Sequence, residues 1–205
     1  MDAARLRPIT DDAAPAEASA ALPPPVQPLA LPWPPLRRNE PSVALRPWGA
    51  QPSDPATLAA AWQDADIARW TAVPEARTEA DAARWVAGEG ERRDQGVALD
   101  LAITELGAPE VVVGEIGLAL VEPERRWAEV GYWLFPAWRG GGRASVALDL
   151  FTDWVLRDLP IDRLFCRTHV DNPASASVAE RAGYDLAGDL PDGTRVWVMD
   201  RPVVP

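Results

Sequence analysis

The sequence predicts an α/β chain of the α+β type, with a mixed, mostly antiparallel central sheet of about seven strands flanked by about four helices. Three observations carry this. Residues 97–135 hold three apolar stretches in close succession, with no room for crossover helices, so they form an antiparallel meander. The next strand-like stretch, 163–170, follows a helical pattern and so lies parallel to the strand before that helix. Between those two strands sits Arg139-Gly140-Gly141-Gly142-Arg143-Ala144, a glycine-rich turn from a strand into a helix.

The first 41 residues stand apart. They hold ten of the 22 prolines, including Pro23-Pro24-Pro25 and Pro34-Pro35. Proline removes backbone donors and disfavours helix in the residue before it, so 1–41 is expected to be an extended or disordered arm, partly polyproline II. A dispensable tail is one reading of it. The other is a partner-binding arm, with Trp33 docking on the domain or on a second subunit, which leaves a homodimer open. The domain proper, 42–205, opens with a short strand at 43–48. Asp54-Pro55 reads as an N-cap and first helical residue, starting a helix through Trp62. A second helix is expected from Thr78 to Arg92, opened by the capping-box-like Thr78-Glu79-Ala80-Asp81.

In the meander, 97–104 alternates in part. The stretch 111–121 is continuously apolar except for Glu115, as expected of a central strand, and 127–135 returns after a polar turn. Ala144, Ala147, Leu148, Phe151 and Val155 recur at three- and four-residue spacing, which predicts a helix over 144–156. Asn172-Pro173 opens a last helix that Gly183 stops. Two final strands, 184–187 and 195–200, flank the tight-turn signal Asp192-Gly193.

Composition narrows the function classes. The formal net charge is -11, and an acidic chain lacks the basic surface that displaces counterions from nucleic acid. Such a chain attracts cationic partners, amines among them. The single cysteine, Cys166, excludes an intramolecular disulfide and a cysteine-based metal cluster, and a single histidine argues against a zinc site, so no metal is expected. The best apolar run, 111–121, is too short to cross a membrane, and the N-terminus lacks a basic region followed by an apolar stretch. The expected location is the cytoplasm.

The glycine turn is where chemistry concentrates. It leaves several backbone N–H groups unpaired at a helix N-terminus, where the dipole adds partial positive charge. Glycine lets a ligand approach the backbone closely, and Arg139 and Arg143 flank it with formal charge, so the turn suits a phosphate or pyrophosphate. It has neither the Gly-Lys-Ser/Thr of a P-loop nor the G-x-G-x-x-G of a dinucleotide fold. What it does contain is Arg-x-x-Gly-x-Ala, as Arg139, Gly142 and Ala144. This resembles the acetyl-CoA pyrophosphate loop of the GNAT N-acetyltransferases. The wider run from Glu129 to Ala144, and Asp171-Asn172-Pro173-Ala174-Ser175 through Glu180-Arg181-Ala182-Gly183-Tyr184, are similar to the RimJ/RimL-like branch of that family. The resemblance covers residues 43 to 200.

The resemblance implies a GNAT fold, splayed at the cofactor site. It also implies acetyl transfer from acetyl-CoA to a primary amine by direct attack, the acceptor being a protein amine or a small cationic amine such as an aminoglycoside. The backbone of Arg139, Gly140, Gly141, Gly142, Arg143 and Ala144 would hold the pyrophosphate. The splayed backbone at Trp133, Leu134 and Phe135 would pair with pantetheine and supply an oxyanion donor, and the helices at 54–92 would form one wall of the acceptor site, with Trp62, Trp70 and Trp85 as candidate lining. Asn172 would hold the pantetheine arm, unless it serves only as a helix cap. Ser175 would donate a hydrogen bond to the departing thiolate. Many relatives carry a tyrosine seven residues after the asparagine, but Ala179 stands there. For the base, Glu129 ranks first, Glu115 second and His169 third, with a water relay also open. A catalytically silent acyl-CoA-binding regulatory or scaffold domain is the alternative function.

Overall fold

The structure, a computed structural model, describes residues 27–202. In chain order its elements are β1 (Arg37–Arg38), β2 (Val43–Pro47), α1 (Asp54–Gln63), α2 (Ala65–Trp70), α3 (Glu79–Ala87), α4 (Glu89–Asp94), β3 (Ala98–Glu105), β4 (Ala108–Glu122), β5 (Trp127–Leu134), α5 (Arg143–Asp158), β6 (Arg163–His169), α6 (Pro173–Arg181), β7 (Asp185–Asp189) and β8 (Thr194–Asp200). The strands form one sheet in the order β1-β2-β3-β4-β5-β6-β8-β7. Neighbours are antiparallel throughout, apart from the β5–β6 pair, which is parallel as expected of strands joined through a helix.

The described sheet has one strand more than expected, and there are two more helices. β1 is two exposed arginines, with no apolar signal to announce it, and it pairs through Arg37↔Ala44 and Arg38↔Val43. α2 starts directly after α1 because the Asp64 carboxylate accepts from the N–H groups of Asp66 and Ile67. The single helix expected over 78–92 is two helices, broken at Gly88, which caps the end of α3 and the start of α4. The Thr78–Asp81 capping box is present. The N-cap of α1 is Ser53 rather than Asp54. Asp54 is instead buried under the guanidinium of Arg46, with both oxygens at 2.7 Å, and accepts the Gly49 N–H at 2.8 Å.

Residues 1–26 of the expected arm lie outside the described residues. From there the chain packs earlier than residue 42: Leu29 is 2% exposed, its N–H donates to the Arg93 carbonyl at 2.9 Å, and Leu31 and Leu36 lie on the same apolar cluster. Trp33, in contrast, is 89% exposed.

Two apolar clusters sandwich the sheet. One joins Leu101, Ile103, Ile116, Leu118 and Val130 to Leu148, Phe151 and Val155 of α5 and to Ala176 and Ala179 of α6. The other joins Ala102, Val112 and Trp133 to Leu58 and Trp62 of α1, Ile67 of α2 and Ala82 of α3. The feature that positions the site is a failure of pairing. β5 and β6 match only at Trp127↔Arg163, Ala128↔Leu164 and Glu129↔Phe165. Beyond those pairs β5 runs on to Leu134 and β6 to His169 without pairing, which leaves a wedge between them in the middle of the sheet.

Candidate functional site

The wedge exposes main-chain groups. Phe135 N–H donates to Val113 O at 3.0 Å, and the β4–β5 register pairs Trp133 with Glu115. Residues of an antiparallel pair alternate in the edge they bond. Trp133 and Phe135 therefore spend their backbone on β4, while Tyr132 and Leu134 present theirs to the wedge. Of the three backbones expected there, Leu134 is placed so, and its carbonyl accepts from Arg139 Nε at 3.0 Å.

The glycine turn lies at the open end. Gly140 and Gly142 have φ of 81° and 77°, the left-handed region that favours glycine. The first α5 bond runs from Val146 N–H to Gly142 O at 3.1 Å, so the N–H groups of Arg143, Ala144 and Ser145 have no helical turn behind them. Ser145 Oγ is buried without a partner beside them. The two arginines are not spare charge. Arg139 Nη1 pairs with Asp66 of α2. Arg143 donates from Nε and Nη2 to Glu105 Oε1 at 3.1 and 2.8 Å, with its guanidinium 5.1 Å from the Trp138 ring. The attraction for a phosphate therefore rests on backbone donors and the α5 dipole more than on formal charge.

On the α6 side, Asn172 Oδ1 accepts the Ser175 N–H at 3.2 Å, so the helix cap is made. Ser175 is held by a residue that no sequence spacing singles out. The Tyr132 hydroxyl donates to Ser175 O at 3.0 Å and stands 3.1 Å from Ser175 Oγ, which links β5 to α6 across the wedge. Burial raises the Tyr132 phenol above its ordinary value, so it stays protonated at neutral pH. Ala179 is fully buried.

The three base candidates separate clearly. Both Glu129 oxygens accept from Arg167, Oε1 from Nε at 2.8 Å and Oε2 from Nη2 at 2.7 Å, which clamps β5 to β6 where their pairing ends. A carboxylate so engaged has neither oxygen free, unlike the unclamped acid the sequence suggests. His169 Nδ1 accepts the Asp171 N–H at 3.1 Å, and its ring stands 5.9 Å from Trp70 of α2. Trp62 and Trp85 meet edge to face at 6.2 Å on the second cluster, whereas Trp70 stands against His169 at the end of β6.

Glu115 has no such clamp. Its Oε1 accepts from Trp133 Nε1 at 3.0 Å, and its Oε2 is buried with no partner. Burial pushes its pKa up to about 7, against the hydrogen bond from Trp133 and the nearby indole of Trp48. Asp100 of β3 is raised well above the usual carboxylate range by burial and by the charges of Glu115 and Glu89, with Arg92 opposing.

With this geometry in place, the comparisons with known proteins agree on one family. A profile of the acetyltransferase (GNAT) domain matches residues 42–185. The ribosomal-protein-serine acetyltransferase of Escherichia coli (strain K12) is 35% identical over 79 residues, 38% of this chain and 44% of the relative, so the match spans under half the relative's length. Among solved structures, RimL, a ribosomal L7/L12 alpha-N-protein acetyltransferase in complex with coenzyme A, aligns over 78% of this chain and 94% of its own, with a TM-score of 0.65 and 23% identity. Mycobacterium smegmatis RimJ in complex with CoA-disulfide aligns over 82% and 88%, with a TM-score of 0.67 and 21% identity. At such identities the structural matches establish the fold.

Proposed function

Because the chain belongs to the acetyltransferase (GNAT) domain family, we propose that it is an acetyl-CoA-dependent N-acetyltransferase, moving the acetyl group to a primary amine by direct attack. The observation that carries this is the wedge, an interrupted parallel pair with a glycine-rich helix N-terminus at its open end. Pantetheine completes the unpaired edge of β5 at Tyr132 and Leu134, and the pyrophosphate lies on the N–H groups of Arg143, Ala144 and Ser145. The Asn172 amide group that its capping oxygen leaves over faces the pantetheine arm.

In the reaction the amine nitrogen attacks the thioester carbonyl, the C–S bond breaks, and the ammonium proton passes to Glu115 directly or through water. Ser175, held in place by Tyr132, donates a hydrogen bond to the leaving thiolate, which takes its proton from water. A base with pKa near the working pH suits this step. No described helix is long and apolar enough to cross a membrane, and a need for acetyl-CoA favours the cytoplasm. The name of the Escherichia coli relative favours a ribosomal-protein amine as acceptor, whereas the acidic residues beside the wedge favour a small cationic amine.

Calorimetric titration with acetyl-CoA, and with dephospho-CoA for comparison, tests the cofactor half of this reading. Steady-state assay on an amine panel tests the rest. Micromolar binding followed by turnover on one amine class is expected. Tight binding with no turnover on any acceptor would instead favour a silent acyl-CoA-binding domain.

A further inference from the structure

The side chain of Arg143 is held in a way that its place at the start of α5 does not require. A guanidinium carries its N–H groups in a planar fork. Glu105 takes the edge formed by Nε and Nη2, both on its Oε1, at 3.1 and 2.8 Å. The Trp138 ring stands 5.1 Å from the guanidinium carbon. That leaves Nη1, which has no hydrogen-bond partner among the described residues. It lies 2.9 Å from the point where a Cβ on Gly141 would stand, and so runs along the glycine turn. Gly141 is exposed, so the turn is open there.

We propose that Glu105 is a positioning residue of the cofactor site: it holds the guanidinium of Arg143 so that Nη1 lies over the turn as a directed donor to the pyrophosphate of acetyl-CoA. This rests on the acetyl-transfer reading above, and it gives a role to a carboxylate that is otherwise out of place. An unpaired carboxylate this close to a phosphate site repels the ligand. Paired with Arg143, its charge is offset, and the pair offers the ligand geometry rather than net charge. Arginine suits such work because one edge of its fork can be held while the remaining nitrogen stays available. A lysine ammonium has no second edge.

Glu105 is itself held. The β3–β4 register shifts on both sides of Thr104, which brings Glu105 opposite Ala108, and such irregularities re-aim a side chain. The Ser42 hydroxyl, and Arg143 after it, hold the Glu105 carboxyl below its ordinary value, so it is charged at neutral pH. Ser42 Oγ also accepts the Leu106 N–H at 3.0 Å, which ties the start of β2 to the β3–β4 turn. Pro41, one residue earlier, stands 3.9 Å from where a Cβ on Gly142 would be, so the chain entering β2 backs the same turn. A part-exposed ion pair adds little to stability. These contacts converge on the orientation of one guanidinium, which serves the site more than the fold.

Calorimetric titration of the full chain with acetyl-CoA tests this by the sign of the effect. Glu105→Ala removes one negative charge beside the turn, so if charge alone governed binding, acetyl-CoA would bind more tightly. Positioning predicts the opposite, a loss of about tenfold in affinity. Arg143→Ala should weaken binding to a similar degree. Glu105→Ala should then add nothing in an Arg143→Ala background, because it acts through that side chain. S-acetylpantetheine, which lacks the pyrophosphate, should bind wild type and Glu105→Ala equally, whereas a general loosening of the fold would weaken both ligands. Tighter or unchanged acetyl-CoA binding in Glu105→Ala overturns the proposal. So do additive losses in the double variant, or an equal loss for S-acetylpantetheine. If wild type binds no acetyl-CoA, both readings fall. If it binds with the expected dependence on Glu105 but acetylates no amine, the transfer reading fails alone and the positioning role stands.

Discussion

On the side facing α5, strands β4 and β5 present Ile116, Leu118 and Val130 to Leu148 and Phe151, and this face is filled with apolar side chains. On the other side, the same two strands carry Glu115, Gly117, Gly131 and Trp133, with Asp100 alongside on β3. Strand alternation sends one residue set to each face, so the two jobs of this segment are interleaved in the sequence yet separate in space. The packed face holds the sheet to its helix. The other face gives up apolar burial at two glycines and two carboxylates, and the Asp100 carboxylate fills the space over Gly117.

The largest effect should come from the packed face. Phe151 is fully buried and meets Trp154 edge-on at 5.6 Å. Phe151→Ala should cost about 3–5 kcal/mol of stability, read from urea unfolding. A loss below 1 kcal/mol would mean that this face is not the stabilising one.

Glu115→Gln should do the reverse, sparing the fold and removing activity by about 100-fold in kcat/KM. The wild-type rate should rise as pH increases through about 7, because the base must be ionised, and that limb should vanish in the variant. Stability should show the opposite slope. A carboxyl raised in the folded state stabilises fully below its unfolded pKa, about 4.3, and that contribution fades as pH climbs through about 7. Asp100 shifts in the same direction. Chemical unfolding at several pH values should show wild type losing stability across this window and Glu115→Gln losing less. Equal slopes would place the Glu115 proton elsewhere.

The contrast between the faces also marks what the sequence reveals. Apolar spacing in α5 and the run at 111–121 locate the packed face directly. The glycine turn, Asn172 and Ser175 are legible because local chain chemistry, a left-handed turn and a helix cap, sets their geometry. Glu115 is legible as an intruder in an apolar strand. Gly117 and Gly131 are not, since only the strand register puts them in one row with Asp100. The Tyr132–Ser175 and Arg167–Glu129 contacts join residues 43 and 38 positions apart, and no local pattern encodes such pairs. For this reason Glu129 reads as a free carboxylate in the sequence although Arg167 takes both its oxygens.

The glycine turn supplies an intermediate effect, independent of both faces. Gly142 and Gly140 are poor test positions because their positive φ strains any side chain. Gly141 carries no such constraint, and a Cβ there meets only Arg143 Nη1, at 2.9 Å, the end of a flexible chain. Gly141→Asp should leave melting unchanged and weaken acetyl-CoA about tenfold, or 1.4 kcal/mol, through charge repulsion at the pyrophosphate. Unchanged affinity in calorimetry would detach the turn from the cofactor.

The smallest expected change in stability tests the face of β5 turned away from α5. Gly131 lies mid-strand with a negative φ, and its missing side chain would touch nothing. Judged on stability alone, alanine is the better residue, because it restricts the unfolded chain by about 0.4–1 kcal/mol without native strain. Gly131→Ala should therefore melt at or slightly above wild type. It also puts a methyl group on the exposed face of β5 beside the wedge, so KM for the acceptor should rise while acetyl-CoA affinity holds. A variant that is more stable and fully active would mean that the open space at Gly131 serves no substrate. A more stable variant with a poorer acceptor KM would show that this face of β5 is kept open for one.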